Sequence, residues 1–209
     1  MLLYFVKTPR FVKLLFRKWI WNFSRSEKCL YLTFDDGPTE KITSWVLDEL
    51  DKYNAKATFF CLGKNVSKNK DLFEDILNRK HSVGNHTYDH MNGWNTKTSH
   101  YFANVEKTTA ELWGMQSIFR PPYGNLTYRQ SQIIQKSGLK IVGWDVLSAD
   151  FDRSISAEKC LENVIRNVEN GSILVFHDSQ KAAEKLRFVL PQILEYYHSK
   201  NFKFKKIEA

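Results

Sequence analysis

Leu30-Tyr31-Leu32-Thr33-Phe34-Asp35-Asp36-Gly37-Pro38 is an apolar run that ends on two adjacent carboxylates and an abrupt chain break. It reads as a strand stopped by Gly37 and Pro38, with both acids at its C-terminal end. Neighbouring side chains on a strand point to opposite faces. Where the backbone leaves the ladder, both acids can still reach one pocket. Two carboxylates this close resist ionising together unless a cation lies beside them. The plainer alternative is an Asx-type turn with both acids solvated.

A second cluster bears on that choice. His86-Thr87-Tyr88-Asp89-His90 places two histidines four residues apart. If this stretch is a helical turn, they share a face and can hold one ion. Adding Asp36 makes two imidazoles and one carboxylate, a donor set for catalytic zinc that leaves a position open. Iron, cobalt or nickel also suits these donors. Asp35 is then free to act as a base, and the guanidinium of Arg120 suits a carboxylate held in a fixed fork. His177, expected from the opposite part of the fold, is the candidate general acid for a leaving amine.

From Lys28 onward, short apolar runs alternate with helical patterns. Strands are predicted at 30–34, 56–61, 82–83, 118–119, 140–146, 172–176 and 202–205. Helices are predicted at about 40–53, 66–80, 98–115, 127–137, 157–169 and 180–199. This alternation implies a mainly parallel sheet covered by helices. The unusual polar residues fall at strand ends: Asp35-Asp36, His86 and His90, Arg120, Asp150, and His177-Asp178, with Asp145 inside the fifth strand. Catalytic groups of barrels of this kind collect at the carboxyl ends of the strands.

The 209 residues suit one main domain, residues 27–209, preceded by a basic segment, residues 1–26. The net charge is +8, and Lys7, Arg10, Lys13, Arg17, Lys18 and Arg25 supply six of those charges with no acid among them. The remainder is near neutral, which argues against a nucleic-acid-binding surface. Thr8 and Pro9 are expected to start an amphipathic helix running to Phe23, with an apolar face for the body and a basic face. Trp21 on the basic side keeps open a peripheral membrane contact through residues 9–23. The three cysteines, Cys29, Cys61 and Cys160, show no CxxC spacing and read as free thiols. With no recognisable signal peptide and no run long enough to span a bilayer, a cytoplasmic location is expected.

The three motifs Thr33–Pro38, His86–His90 and Arg120-Pro121-Pro122-Tyr123-Gly124 resemble, in order and separation, the polysaccharide deacetylases: the NodB homology domain of carbohydrate esterase family 4. The resemblance covers about residues 28–207. It implies a distorted, incomplete (β/α)7 barrel and metal-dependent removal of N-acetyl groups from glycans such as peptidoglycan, chitin or their oligomers. It further implies Asp35 as base, Asp36, His86 and His90 as metal ligands, and Arg120 as orienter of the base. The backbone N–H of Tyr123 would help stabilise the oxyanion, His177 would be the acid, and Val175 would line the acetyl pocket in place of the usual leucine.

One motif departs from the family. Leu147-Ser148-Ala149-Asp150-Phe151 stands where Asp-x-x-Asp-Trp is usual. On this reading Leu147 replaces the acid that pairs with the catalytic histidine, and Phe151 replaces the tryptophan. Asp145, two residues before Leu147 on the same strand face, or Asp178 is then expected to assist His177. Trp94 has two readings, core packing or stacking on a sugar ring. Three functions stay open: an N-deacetylase, an O-acetyl carbohydrate esterase, and a catalytically weak glycan-binding relative.

Overall fold

The computed structural model describes residues 4–114 and 117–208. In chain order its elements are α1 (Arg10–Leu15), β1 (Cys29–Asp35), α2 (Ile42–Asp51), β2 (Ala57–Cys61), α3 (Gly63–Lys68), α4 (Lys70–Asn78), β3 (Ser82–Asn85), α5 (Thr98–Glu111), β4 (Ile118–Phe119), α6 (Tyr128–Lys136), β5 (Lys140–Ile141), β6 (Val146–Leu147), α7 (Ala157–Asn167), β7 (Ser172–His177), α8 (Ala183–Ser199) and β8 (Lys203–Phe204). The strands pair in the order β5-β4-β3-β2-β1-β7-β6, with β8 added beside β1, and every strand pairing is parallel. This is the parallel sheet that the alternating pattern implies, curled into the incomplete barrel that the resemblance implies, with the strands' carboxyl ends gathered on one face.

β1 lies at the centre, buried on both sides as parallel strands are. Leu30, Leu32 and Phe34 point to the helical layer and join Leu47, Phe59, Phe176, Leu186 and Val189 in the main core. Phe34 stacks on Phe59 and Phe176, with ring centroids 5.1 and 6.0 Å away. Burial of one such ring is worth about 1.5–3 kcal/mol. The opposite face of β1 turns Thr33 and Asp35 inward. Helices α6 and α7 start on side-chain caps. Thr127 and Gln130 form a reciprocal capping box on α6, and Ser156 caps α7.

Two expectations change. The strand placed at 140–146 is two strands, because the carbonyls of Val142 and Gly143 accept from Arg120, and Ile20 pairs with the chain there. The long N-terminal helix is only the six residues of α1. On either side of it the chain extends along the sheet edges at the open seam between β5 and β6. Lys7 bridges Val146, Ile20 bridges Val142 and Asn22 bridges Ser172. Unpaired edge groups are better satisfied by an extended chain than by a helix, whose backbone bonds are internal. Trp21, the residue that favoured membrane contact, stacks on Trp19 and donates its indole N–H to the Phe16 carbonyl, so it faces the body. Among the described residues no helix is long and apolar enough to cross a membrane.

Candidate active site

Arg120 holds the site together from the loop after β4. Its guanidinium, fully buried, donates from Nη1 to Asp35 Oδ1 and to Thr33 Oγ1, each at 2.7 Å. Nη2 donates to the Gly143 carbonyl at 2.9 Å, and the group lies 4.1 Å over the Phe60 ring. Thr33 and Asp35 are two residues apart on one face of β1, so one guanidinium nitrogen serves both. The carbonyl of the same arginine lies 2.8 Å from His86 Nδ1. A carbonyl can only accept, so Nδ1 carries the proton and Nε2 keeps its lone pair.

That lone pair looks toward Asp36. Oδ1 of Asp36 is 3.7 Å from His86 Nε2 and 3.2 Å from His90 Nε2. Donor atoms of Asp36, His86 and His90 all lie within 4.8 Å of one another. Asp36 Oδ1 is buried without a hydrogen-bond partner. A buried, unpartnered carboxylate oxygen facing imidazole nitrogens fits a divalent cation. Burial holds His86 down to about 4, so its ring is neutral near neutral pH. Burial opposes the charge on Asp36, yet the surrounding His90, His177 and His86 outweigh it and keep the carboxyl well below its usual range.

The two histidines are not on a helical turn. Residues 86–90 are an irregular loop following β3, with Thr87 and His90 at φ of 65° and 60°. Asn85 Oδ1 accepts from the Thr87 N–H at 2.9 Å. Asn104 Oδ1 accepts from Tyr88 and Asp89 N–H at 2.7 and 3.0 Å. These side chains satisfy loop donors that a helix would have paired internally. Asn104, from mid-α5, was not singled out, because an asparagine in a helix carries no signal of its own. Tyr123, at φ 60° in a short turn at Pro122–Gly124, sets its ring 4.6 Å from His90.

His177 ends β7, the strand beside β1, and is the register partner of Asp35. It therefore comes from the neighbouring strand and not from across the barrel. Its carboxylate is Asp150. Oδ1 is 2.8 Å from His177 Nδ1, and Oδ2 accepts the His177 backbone N–H at 2.8 Å. Burial disfavours the imidazolium, but the charge and hydrogen bond of Asp150 outweigh it and raise His177 to about 9. Neither acid expected to assist His177 is placed to do so. Asp145 is enclosed by Lys7, Lys13, Arg25 and Ser172. Asp178 holds the Gly37 N–H and the Thr43 hydroxyl. Leu147 therefore does not deprive His177 of a carboxylate: β6 stops at Leu147, Ala149 turns at φ 62°, and Asp150 swings back to His177. Phe151 packs edge-on against His177 at 5.0 Å. Val175 is buried on β7, two residues before His177.

The profile of the polysaccharide deacetylases matches residues 23–142, more than half of the chain. The chain belongs to the polysaccharide deacetylase family. It is 35% identical to a peptidoglycan-N-acetylglucosamine deacetylase of Bacillus cereus over 171 residues, covering 78% of this chain and 62% of that one. It is 28% identical to a chitooligosaccharide deacetylase of Azorhizobium caulinodans over 160 residues, covering 74% and 76%. Of the Listeria monocytogenes peptidoglycan deacetylase PgdA it spans 34% of the length. Among solved structures, a peptidoglycan N-acetylglucosamine deacetylase superposes with a TM-score of 0.87 at 29% identity, over 94% of both chains.

Proposed function

We propose that this polysaccharide deacetylase removes N-acetyl groups from N-acetylhexosamine glycans of the peptidoglycan or chitooligosaccharide type. The observation that carries the reading is the placement of Asp35 and His177 as register partners on adjacent strand ends, beside Asp36, His86 and His90. A base and an acid flanking a cation site suit an amide, which needs a proton taken from water and another given to nitrogen.

Asp36, His86 and His90 are the residues to hold the metal. We assign zinc, with cobalt or nickel as substitutes, from the donor set of two imidazoles and one carboxylate. A cation bound there would polarise the acetamide carbonyl and make water at that position more acidic. Asp35 takes the proton of the attacking water, and Arg120 keeps its carboxylate aimed. The Tyr123 N–H supports the carbonyl oxygen as it gains charge. His177 donates its proton to the departing amine, and Asp150 fixes its ring. Acetate and a free amino sugar leave. The test is incubation with zinc and N-acetylglucosamine oligomers or peptidoglycan fragments, followed by mass. Loss of an acetyl group that disappears in Asp35→Asn supports the reading. Cleavage confined to O-acetyl sugars would replace it with the esterase reading, and no cleavage with metal bound would leave a binding relative.

We further propose that α1, with residues 4–9 before it, touches an anionic membrane surface. Phe5, Phe11, Leu14 and Leu15 are exposed together, and Phe5 and Phe11 are in edge contact. Arg10, Arg17 and Lys18 are exposed around them. Pelleting with phosphatidylglycerol vesicles but not phosphatidylcholine vesicles, lost in Leu14→Glu/Leu15→Glu, is the expected result. Equal pelleting of variant and parent would overturn it.

A further inference from the structure

Trp94 presents its ring to solvent, 67% exposed, although its indole N–H is engaged by the Leu126 carbonyl at 3.2 Å. A large apolar ring that is both fixed and exposed is unusual when a few residues separate it from a catalytic centre. The loop that carries it is locked. Asn92 accepts the Trp94 N–H, and Asn125 donates to Asn92. Gln130 donates to the carbonyls of Gly93 and Thr96. Gly93 is required for this closeness: a Cβ there would lie 2.3 Å from the Asn125 carbonyl oxygen. The loop after His90 and the loop carrying Tyr123 are thus zipped into one rim.

That rim is aromatic. Tyr123 touches His90 and is 62% exposed, and Tyr128, where α6 begins, is 78% exposed. Trp94 is four residues from His90, so chain length alone keeps its Cα within about 14 Å of that residue's. A β-linked hexosamine carries its substituents equatorially, which leaves flat C–H faces that match an aromatic ring.

We propose that Trp94 is a stacking platform for a sugar ring flanking the reacting N-acetylhexosamine. The proposal rests on the deacetylase reading and specifies its substrate. Its test reads binding, separately from turnover. The zinc-loaded Asp35→Asn protein is titrated with N-acetylglucosamine and with its pentamer by calorimetry, and the titrations are repeated after Trp94→Ala and Trp94→Phe. Trp94→Ala is expected to weaken the pentamer about tenfold more than the monomer, with Trp94→Phe, which keeps a stacking face, close to the parent. Unchanged pentamer affinity would overturn the platform. So would equal loss for both sugars, or a Phe variant as weak as Ala, since the ring would then serve only to clamp the loops. A parent that does not bind the pentamer overturns it too. The deacetylase reading fails by a different sign, when the zinc-loaded wild type binds the pentamer but releases no acetate.

Discussion

Asp150 grips His177 at two points, its side-chain Nδ1 and its backbone N–H, both at 2.8 Å. The imidazole is thereby fixed with Nδ1 toward the carboxylate and Nε2 left for chemistry. The same contact holds the ring's proton to about 9. A histidine that must donate a proton stays active up to the pH at which it loses that proton. Activity is expected to hold through neutral pH and to decline on an alkaline limb near 9. In Asp150→Asn the limb should move down toward the ordinary 6.5, and kcat should fall at pH 8 far more than at pH 6. A pH–rate profile of both proteins decides this, and an unmoved limb would remove His177 as the acid.

Arg120 joins the two halves of the site through different atoms. Its side chain serves Asp35, while its backbone carbonyl serves His86. Arg120→Lys should therefore separate them. The ammonium cannot reproduce the planar fork, so kcat should drop by about 100-fold. Zinc affinity, read by competition with a chromophoric chelator, should stay within about threefold because the carbonyl remains. A parallel loss of both would show that the arginine acts only by holding the fold.

The unpartnered oxygen of Asp36 gives a thermal signature. Zinc at 100 times its Kd should stabilise the protein by about 2.7 kcal/mol, or roughly 5–10 °C in Tm for a chain of this size. Chelator-treated protein should lose both this increment and its activity. Asp36→Asn should melt near the metal-free temperature with or without zinc. A full zinc shift in Asp36→Asn would place the metal elsewhere.

Asp145 fastens the N-terminal segment to the body through Lys7, Lys13 and Arg25. Burial alone would raise its pKa, but the bonds from Lys13, Ser172, Arg25 and Lys7 hold it at about 2, against an ordinary 3.8. A depressed carboxyl contributes stability above its unfolded value. That contribution is complete above 3.8 and lost as pH falls toward 2. Asp145→Asn should cost about 3 kcal/mol at pH 7, by leaving cations without their partner. The difference from wild type should shrink below pH 3. Urea unfolding at the two pH values measures it, and a pH-independent difference would exclude the charge as its cause.

Much of this protein was legible one residue at a time. The strand of Leu30–Phe34, its stop at Gly37-Pro38, the two acids, the spaced histidines and Arg120 all lie within short motifs. Residue type marked them as candidates, the alternating apolar runs pointed to a mainly parallel sheet under helices, and the resemblance to the deacetylases pointed to the incomplete barrel. What failed rested on extending a local rule past its element. Strand alternation pointed to Asp145, but β6 ends at Leu147 and the turn at Ala149 sends Asp150 to His177 instead. Helical periodicity over residues 9–23 met open sheet edges that an extended chain satisfies better. Whether Trp94 faced core or solvent was undecidable from its neighbours, because the contact that fixes it comes from Leu126, 32 residues away. Local chemistry is written along the chain. Partners contributed from far along it are chosen by strand register and loop closure, which exist only once the barrel has formed.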